Sequence, residues 1–201
     1  MRFMRNYKEE KMKFKIDFKI LIVLILFAFF NYGCANRSNL ELKTKSVNQE
    51  LSQVTTIGTE IGNIPPDFVV VTTEGKAVRL SDFTKNEKPI IVYFMATWCP
   101  YCAQDYAALS KVYKNYQNDV SMISISLDLG EDLITLKNYK KKYPELEKVM
   151  FAPGQSELLI NYKITRTTTK YAIDGTGKII YAGYGAFNEE QWKTLLDKLS
   201  K

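Results

Sequence analysis

Residues 89–102 have the sequence Pro-Ile-Ile-Val-Tyr-Phe-Met-Ala-Thr-Trp-Cys-Pro-Tyr-Cys, an apolar run that leads into two closely spaced cysteines. The run from Pro89 to Met95 is continuous and rich in β-branched residues, which indicates a strand buried on both faces. In residues 101–117 the apolar positions recur every three or four residues, as in a helix with one buried face. The cysteines therefore lie where a predicted central strand gives way to a helix.

The sequence on either side of this junction predicts further strands and helices in alternation. Residues 69–80 predict a β-hairpin around the turn at Glu74 and Gly75. The remaining predicted elements are a strand at 120–127, a helix at 131–142, a short strand at 149–152, a short helix at 156–162, a hairpin of strands at 168–173 and 178–184, and a helix after the N-cap Asn188. Strands that alternate with helices imply parallel pairing in a sheet covered on both faces, so we predict an α/β fold of three layers.

The two cysteines, Cys99 and Cys102, are placed where a helix begins. Backbone amides at a helix N-terminus stabilise an anion, and the thiolate is the reactive form of cysteine. We therefore expect Cys99 to be the nucleophile and Cys102, one turn further on, to resolve the mixed disulfide. Pro100 suits the first helical position because its missing N–H would have had no partner there.

Three other interpretations of the cysteine pair compete with redox chemistry. A zinc half-site would need two more ligands, whereas the chain has no histidine and only one further cysteine, Cys34. A structural disulfide across so short a loop would add little stability. Two buried free thiols are disfavoured by Trp98 and Pro100 at a strand-to-helix turn. The absence of histidine also excludes Ser-His-Asp and Cys-His catalysis, and we favour a redox-active pair without cofactor or bound metal.

Residues 96–102 follow a buried strand and resemble the active site of thioredoxin-like proteins of the TlpA/ResA type. Residues 66–68 and 80–83 resemble that family's opening hairpin, residues 171–174 resemble its closing segment, and the resemblance covers 61–201. It implies a thioredoxin-like fold with a central mixed sheet, helices on both faces and an N-terminal β-hairpin extension. It also implies an extracytoplasmic thiol–disulfide oxidoreductase, with roles such as cytochrome c maturation, protein disulfide reduction or the response to oxidative stress.

The resemblance also assigns roles to residues around the pair. The family has an acid three positions after the second cysteine that tunes proton transfer at the thiols, and Asp105 occupies that position here. The alternative is a carboxylate that only complements the helix dipole. The implied substrate groove consists of Trp98, Pro100, Tyr101, Thr167 and Thr168.

Thr168 is a departure from the family, which has a cis-proline at this position. A cis bond before a residue other than proline costs about 2.5–4 kcal/mol. We therefore expect either a trans bond with a reshaped groove or strain retained at a functional site. The substitution puts substrate choice and the exclusion of metals from the thiols in doubt.

The N-terminus resembles a bacterial export signal. Residues 1–33 contain seven basic and three acidic side chains, a net +4 of the formal +6, followed by the apolar run Ile20–Phe30. Met12 is an alternative start. Cys34 resembles the lipidated cysteine of lipoproteins, although Asn31 departs from their aliphatic consensus. We predict a signal peptide at 1–33, a flexible tether at 34–60 and a thioredoxin-like domain at 61–201.

We expect the domain to act outside the cytoplasm, tethered to the membrane by its N-terminal anchor. Its expected partners are disulfide-bearing protein substrates and a membrane electron donor or acceptor. Because the positive charge is concentrated in the N-terminal segment, we expect no nucleic-acid binding. A peroxide-reducing relative is disfavoured because Ala96 stands where peroxiredoxins have threonine. A thioredoxin-like chaperone that binds a metal or cluster remains the alternative function.

Overall fold

In a computed structural model of the chain, the structure describes residues 56–201. The predicted signal peptide, the possible lipidation site Cys34 and most of the predicted tether lie outside these residues. The elements are β1 Val69–Val71, β2 Ala77–Arg79, α1 Leu80–Lys85, β3 Ile90–Met95, α2 Pro100–Val112, β4 Ser121–Ser126, α3 Leu133–Lys140, β5 Met150–Ala152, α4 Ser156–Asn161, β6 Thr169–Ile173, β7 Ile179–Gly183 and α5 Glu189–Leu199.

The central sheet has five strands in the order β5-β4-β3-β6-β7. Strand β3 pairs in parallel with β4 and antiparallel with β6, so the sheet is mixed. The parallel connections β3-α2-β4 and β4-α3-β5 require crossover helices, whereas β6 and β7 form a hairpin. The predicted α/β fold with a mixed sheet is therefore confirmed.

Helices cover both faces of the sheet, as the buried run of β3 requires. Alternate side chains of β3 point to opposite faces. Ile91 and Tyr93 belong to a cluster that includes Leu109 of α2 and Trp192 of α5. The other face carries a second cluster, with members from β1, α1, β3, β4, α4, β6 and β7, among them Val70, Leu80, Ile90, Phe94, Ile123, Leu158, Ile173 and Ile179. One cluster lies on each face of the sheet, between the sheet and the helices, which gives the predicted three layers.

The predicted N-terminal hairpin is present as β1 and β2, but its second strand is shorter than expected. We predicted a strand through Leu80, whereas β2 ends at Arg79 and α1 begins at Leu80. Asp67 explains this turn, because its carboxylate accepts from the backbone N–H of Ser81 at 2.9 Å and from Arg79 at 3.0 Å. The side chain thus satisfies an N–H of the first helical turn.

Helix boundaries also differ from the predicted ones. Helix α2 ends at Val112 and continues as a 3₁₀ turn at Tyr113–Asn115, short of the predicted residue 117. Helix α3 begins after Asp132, whose carboxylate accepts from the backbone N–H of Thr135 at 2.8 Å. This N-cap fixes the start two residues after the predicted one.

Residues 57–64 belong to the same folded unit as the sheet. Ile57 and Ile64 form a bridge, and the backbone N–H of Gly62 donates to the carbonyl of Ile179 at 2.8 Å. Residues 57–60, which we assigned to the tether, therefore lie against the domain. In the part of the chain from 56 onward, no helix has the length and apolar character needed to cross a membrane.

Candidate active site

The turn between β3 and α2 brings the two cysteines together. Cys99 is the N-cap of α2, and its Sγ accepts the backbone N–H of Cys102 at 3.2 Å. The Cys99 thiol donates to Oγ1 of Thr167 at 3.2 Å, from the loop before β6. Both cysteines are free thiols and both are buried, which is the arrangement that we disfavoured from the sequence; Cys99 retains slight exposure (3%) whereas Cys102 has none. Cys99 is therefore the sulfur that lies nearer to solvent.

Cys102 is protonated at neutral pH. Burial raises the pKa of its thiol to about 12, and the neighbouring Cys99 contributes in the same direction. The nearby hydroxyl of Tyr93 lowers the pKa of the Cys102 thiol, but not enough to offset burial. Cys102 can attack a disulfide only after a base has taken its proton.

Asp105 lies one turn after Cys102 and is completely buried. Its carboxylate accepts from the hydroxyl of Tyr93 at 2.9 Å, from Nζ of Lys170 at 2.7 Å and from the backbone N–H of Phe187 at 2.7 Å. Burial raises the pKa of the Asp105 carboxyl, although the ammonium of Lys170 opposes that rise. A carboxylate held in this way is not a surface group that merely complements the helix dipole.

Lys170 is a buried cation that the sequence analysis missed. It lies on β6 directly opposite Tyr93 of β3, and no part of its side chain is exposed. Nζ donates to the carbonyls of Thr168 at 3.1 Å and Gly185 at 2.7 Å, as well as to Asp105. Burial lowers the pKa of this ammonium, and Asp105 opposes the change. The only sequence signal is a lysine next to the apolar residues Tyr171–Ile173 of the same strand.

A second buried carboxylate, Glu131, shapes the turn before Cys99. Its Oε1 accepts from the backbone N–H of Thr97 at 2.8 Å and from the Thr97 hydroxyl at 2.6 Å. Its Oε2 accepts from the Ser126 hydroxyl at 2.6 Å. We predicted Glu131 as the first residue of a helix, and nothing local to it signals this role.

The exposed rim of the site is aromatic. Trp98 and Tyr101 are 63% and 61% exposed, and Pro100 between them is also exposed. The indole N–H of Trp98 donates to Oδ2 of Asp128 at 2.8 Å, which fixes the ring beside Cys99. These three predicted groove residues therefore share one surface with the Cys99 end of the pair.

The loop at Thr168 differs from the predicted groove, because the Thr168 side chain is buried. Every peptide bond in residues 56–201 is trans, and Thr168 has φ +62°, a left-handed conformation that is uncommon for a β-branched residue. Its side chain is buried; Oγ1 accepts the backbone N–H of Gly185 at 3.0 Å and donates to the Thr167 carbonyl at 2.5 Å. Thr167 is partly exposed beside Cys99, whereas the Thr168 side chain faces inward. Of the two expected outcomes, the structure has the trans bond.

The described residues contain no set of ligands for the metal-binding alternative. No group of three or more histidine, cysteine, aspartate or glutamate side chains placed to hold a metal occurs between 56 and 201.

Comparison with known proteins identifies relatives of this chain. The model of the AhpC/TSA family matches residues 61–182. The thiol–disulfide oxidoreductase ResA of Bacillus thuringiensis subsp. konkukian is 33% identical over 141 residues, which are 70% of this chain and 79% of that protein. ResA of Bacillus subtilis is 27% identical over 128 residues, 64% of this chain and 69% of that protein.

A solved structure agrees on the fold. The solution structure of a putative protein disulfide isomerase from Bacteroides thetaiotaomicron has a TM-score of 0.59 at 24% identity, covering 73% of this chain and 96% of that one. At this identity the likeness supports the thioredoxin-like architecture and no more.

Proposed function

The chain belongs to the AhpC/TSA family and is a thiol–disulfide oxidoreductase of the ResA type, and on that premise we propose that Cys99 and Cys102 are its redox-active pair. The observation that carries the proposal is the arrangement of the two sulfurs. Cys99 caps α2, accepts the Cys102 N–H at 3.2 Å, and lies beside the exposed rim. The amide stabilises a thiolate on Cys99, and the rim gives a substrate disulfide access to it.

The exchange proceeds in two steps. The Cys99 thiolate attacks a substrate disulfide, forming a mixed disulfide and releasing one substrate thiolate. Cys102 then loses its proton to Asp105 and attacks Sγ of Cys99, so that the Cys99–Cys102 bond forms and the bond to substrate breaks. The pair is oxidised by two electrons and the substrate disulfide is reduced. The reverse sequence oxidises a substrate dithiol, so the same geometry serves either direction.

The substrate is a disulfide in a protein or a small molecule. The exposed rings of Trp98 and Tyr101 provide apolar surface for the residues around a substrate cysteine. Thr167 lies on the opposite side of Cys99 and completes the groove. The Thr168 side chain points inward and its carbonyl accepts from Lys170, so the partly exposed Thr167 is the residue of this loop that a substrate would meet. A membrane electron donor or acceptor returns the pair to its starting state.

The domain works outside the cytoplasm, tethered to the membrane. This part of the proposal is supported by the basic segment, the apolar run Ile20–Phe30 and Cys34 immediately after it. A lipid on Cys34 together with the spacer would hold the domain near the membrane surface. The variant Cys34→Ser, expressed in the native host, should leave the membrane fraction; retention there would contradict lipidation at Cys34.

The decisive experiment is a covalent trap with the full chain in its native host. The variant Cys102→Ser should accumulate disulfide-linked complexes through Cys99, because the resolving thiol is missing. The matched control is Cys99→Ser, which should form none. Complexes are separated without reductant and identified by mass spectrometry. Equal amounts of complex in both variants, or none in either, would contradict the assignment of Cys99 as nucleophile.

A further inference from the structure

We propose that Lys170 is a positioning residue for the exchange, holding Asp105 ionised while Tyr93 connects Asp105 to Cys102. The three side chains then form a buried route by which the Cys102 proton leaves. This inference rests on the proposed function, since it concerns the second of the two exchange steps. Lys170 and Tyr93 lie on strands β6 and β3, away from the helix and the loop that carry the site residues predicted from the sequence.

Hydrogen bonds join Lys170, Asp105 and Tyr93, and Cys102 lies beside Tyr93. The hydroxyl of Tyr93 donates to Oδ2 of Asp105 at 2.9 Å, and Nζ of Lys170 donates to the same oxygen at 2.7 Å. Tyr93 lies close enough to Cys102 for its hydroxyl to lower the pKa of that thiol. Since Tyr93 and Lys170 are opposite each other in the β3–β6 pairing, the backbone of the sheet fixes their separation. No side chain in this route is exposed, so bulk water does not replace any link.

The Lys170 ammonium has hydrogen-bond and aromatic partners around it. It donates to the carbonyls of Thr168 and Gly185 in addition to Asp105, which accounts for its three protons. It lies 4.9 Å from the ring centre of Tyr93, 4.5 Å from that of Phe187 and 5.3 Å from that of Trp192. Such aromatic contacts stabilise a buried cation. Its hydrogen bond to the Thr168 carbonyl also ties the proton route to the loop that faces Cys99.

Lys170 and Asp105 are the charged groups in this part of the core. The other titratable side chains around Asp105 are Tyr93 from β3, Cys99, Cys102 and Tyr106 from the start of α2, Tyr139 from α3 and Tyr181 from β7. Helix α5 contributes Trp192, whose indole donates to the Asp105 carbonyl. Burial raises the pKa of each of the four tyrosines, so they are neutral at physiological pH. Lys170 is thus the counter-charge that keeps the Asp105 carboxylate available as a base.

The Cys102 proton reaches Asp105 by way of Tyr93. In the mixed disulfide, the Cys102 thiol gives its proton to the Tyr93 oxygen while the Tyr93 hydroxyl proton passes to Oδ2 of Asp105. Cys102 becomes a thiolate, Asp105 becomes a neutral acid, and Tyr93 is unchanged. The thiolate displaces the substrate thiolate from Cys99. The departing thiolate takes a proton from solvent, and Asp105 keeps the Cys102 proton until the pair is reduced again and Cys102 takes it back.

The test follows both exchange steps with Ellman's reagent as the model disulfide. Attack by Cys99 releases a first thionitrobenzoate, and attack by Cys102 releases a second, so rapid mixing separates the two steps. In Lys170→Met the second step should slow by about tenfold or more at pH 7. Its pH profile should move to higher pH, because without the ammonium the buried Asp105 stays protonated until higher pH. Lys170→Arg keeps the cation, so the pH profile of its second step should stay close to that of the native protein.

Two further variants separate the route from a general loss of structure. Tyr93→Phe removes one oxygen and leaves the packing intact, and it should slow the second step without slowing the first. In Asp105→Asn the added change Lys170→Met should have no further effect on the pH profile, because Lys170 acts through Asp105. Lys111→Met removes a surface lysine paired with Glu189 and should match the native protein.

The outcomes distinguish the two proposals. If the native protein shows no first release, the proposed function fails. If both releases occur and Lys170→Met leaves the profile of the second unchanged, only the inference fails. A shift of equal size in the presence and absence of Asp105 would also overturn it, since Lys170 would then act directly on the thiol.

Discussion

The sulfur of Cys99 has hydrogen-bond partners on two sides, one from its own helix and one from the loop before β6. The Cys102 N–H is a backbone group that no substitution other than proline removes. The hydroxyl of Thr167, in contrast, is a single replaceable atom 3.2 Å from the sulfur. It accepts from the thiol here, and the same hydroxyl can donate once the sulfur is ionised. At the scale of one residue, Thr167 is therefore the side chain best placed to influence attack by Cys99.

Thr167→Val keeps the shape of the side chain and removes this hydrogen bond. We expect attack by Cys99 on Ellman's reagent to slow by about tenfold, because a hydrogen bond to a charged group contributes about 1.5–3 kcal/mol. The measurement is the rate of the first thionitrobenzoate release. Thr169→Val is the matched control, since the Thr169 hydroxyl donates to the Arg166 carbonyl and not to Cys99. Equal rates for the two variants would show that Thr167 only lines the groove.

At the scale of elements, the sequence predicted the order of strands and helices because each rests on a local pattern. The apolar run of β3, the helical spacing after it and the turn at 174–177 are all short-range signals. Lys170 and Glu131 could not be found in this way, since their partners lie 65 and 34 residues away. Their roles depend on strand register and crossover connections, which a local pattern does not contain. The short helix α1 was missed because side-chain capping by the distant Asp67 fixes its start.

The turn at the end of α4 has a lysine at a left-handed position that glycine usually occupies. Lys163 follows the helix with φ +52°, and its N–H donates to the Ile160 carbonyl while the N–H of Ile164 donates to the Leu159 carbonyl. This is the pattern of a Schellman motif, whose left-handed position is usually glycine. A lysine there has a steric cost that its exposed side chain does not offset.

Lys163→Gly should raise the free energy of unfolding. The left-handed conformation costs a residue other than glycine about 1 kcal/mol, and the greater freedom of glycine in the unfolded chain returns part of that gain. Urea unfolding of the variant and the native protein measures the difference. Lys163→Ala removes the same side chain but keeps the Cβ, so it should show no gain. A glycine variant no more stable than the alanine variant would contradict the strain at this position.

At the scale of the whole molecule, the ion pair of Asp105 and Lys170 joins parts of the chain that are distant in sequence. Asp105 connects α2 to β3 through Tyr93 and to the segment before α5 through the Phe187 N–H. Lys170 connects β6 to the Gly185 carbonyl. The same two side chains thus hold the layers together beneath the cysteines and supply the proposed proton chemistry. Stability and reactivity are therefore coupled at this point in the fold.

Replacing one member of the Asp105–Lys170 ion pair should lower the free energy of unfolding more than replacing both. Removal of one partner from a buried ion pair destabilises by about 3–5 kcal/mol, because the other charge is left without compensation. Asp105→Asn and Lys170→Met should each lower the free energy of unfolding by about 3 kcal/mol, measured by urea titration with the fluorescence of the buried Trp192. The double variant should be no less stable than the less stable of the two single variants. A loss of stability equal to the sum of the two single losses would contradict the coupling between Asp105 and Lys170.

The pH dependence of the Lys170→Met variant provides a second check on the same pair. Without the ammonium, burial leaves the folded-state pKa of Asp105 above its value in the unfolded chain, as it already does in the native protein. A raised carboxyl pKa means that the folded state binds the proton more tightly than the unfolded state does. The contribution of Asp105 to the stability of the variant is therefore greatest at acidic pH and is lost as pH rises through the folded-state pKa. The difference between the variant and the native protein should widen from acidic to neutral pH, and a difference independent of pH would show that Asp105 is not the charge left unpaired.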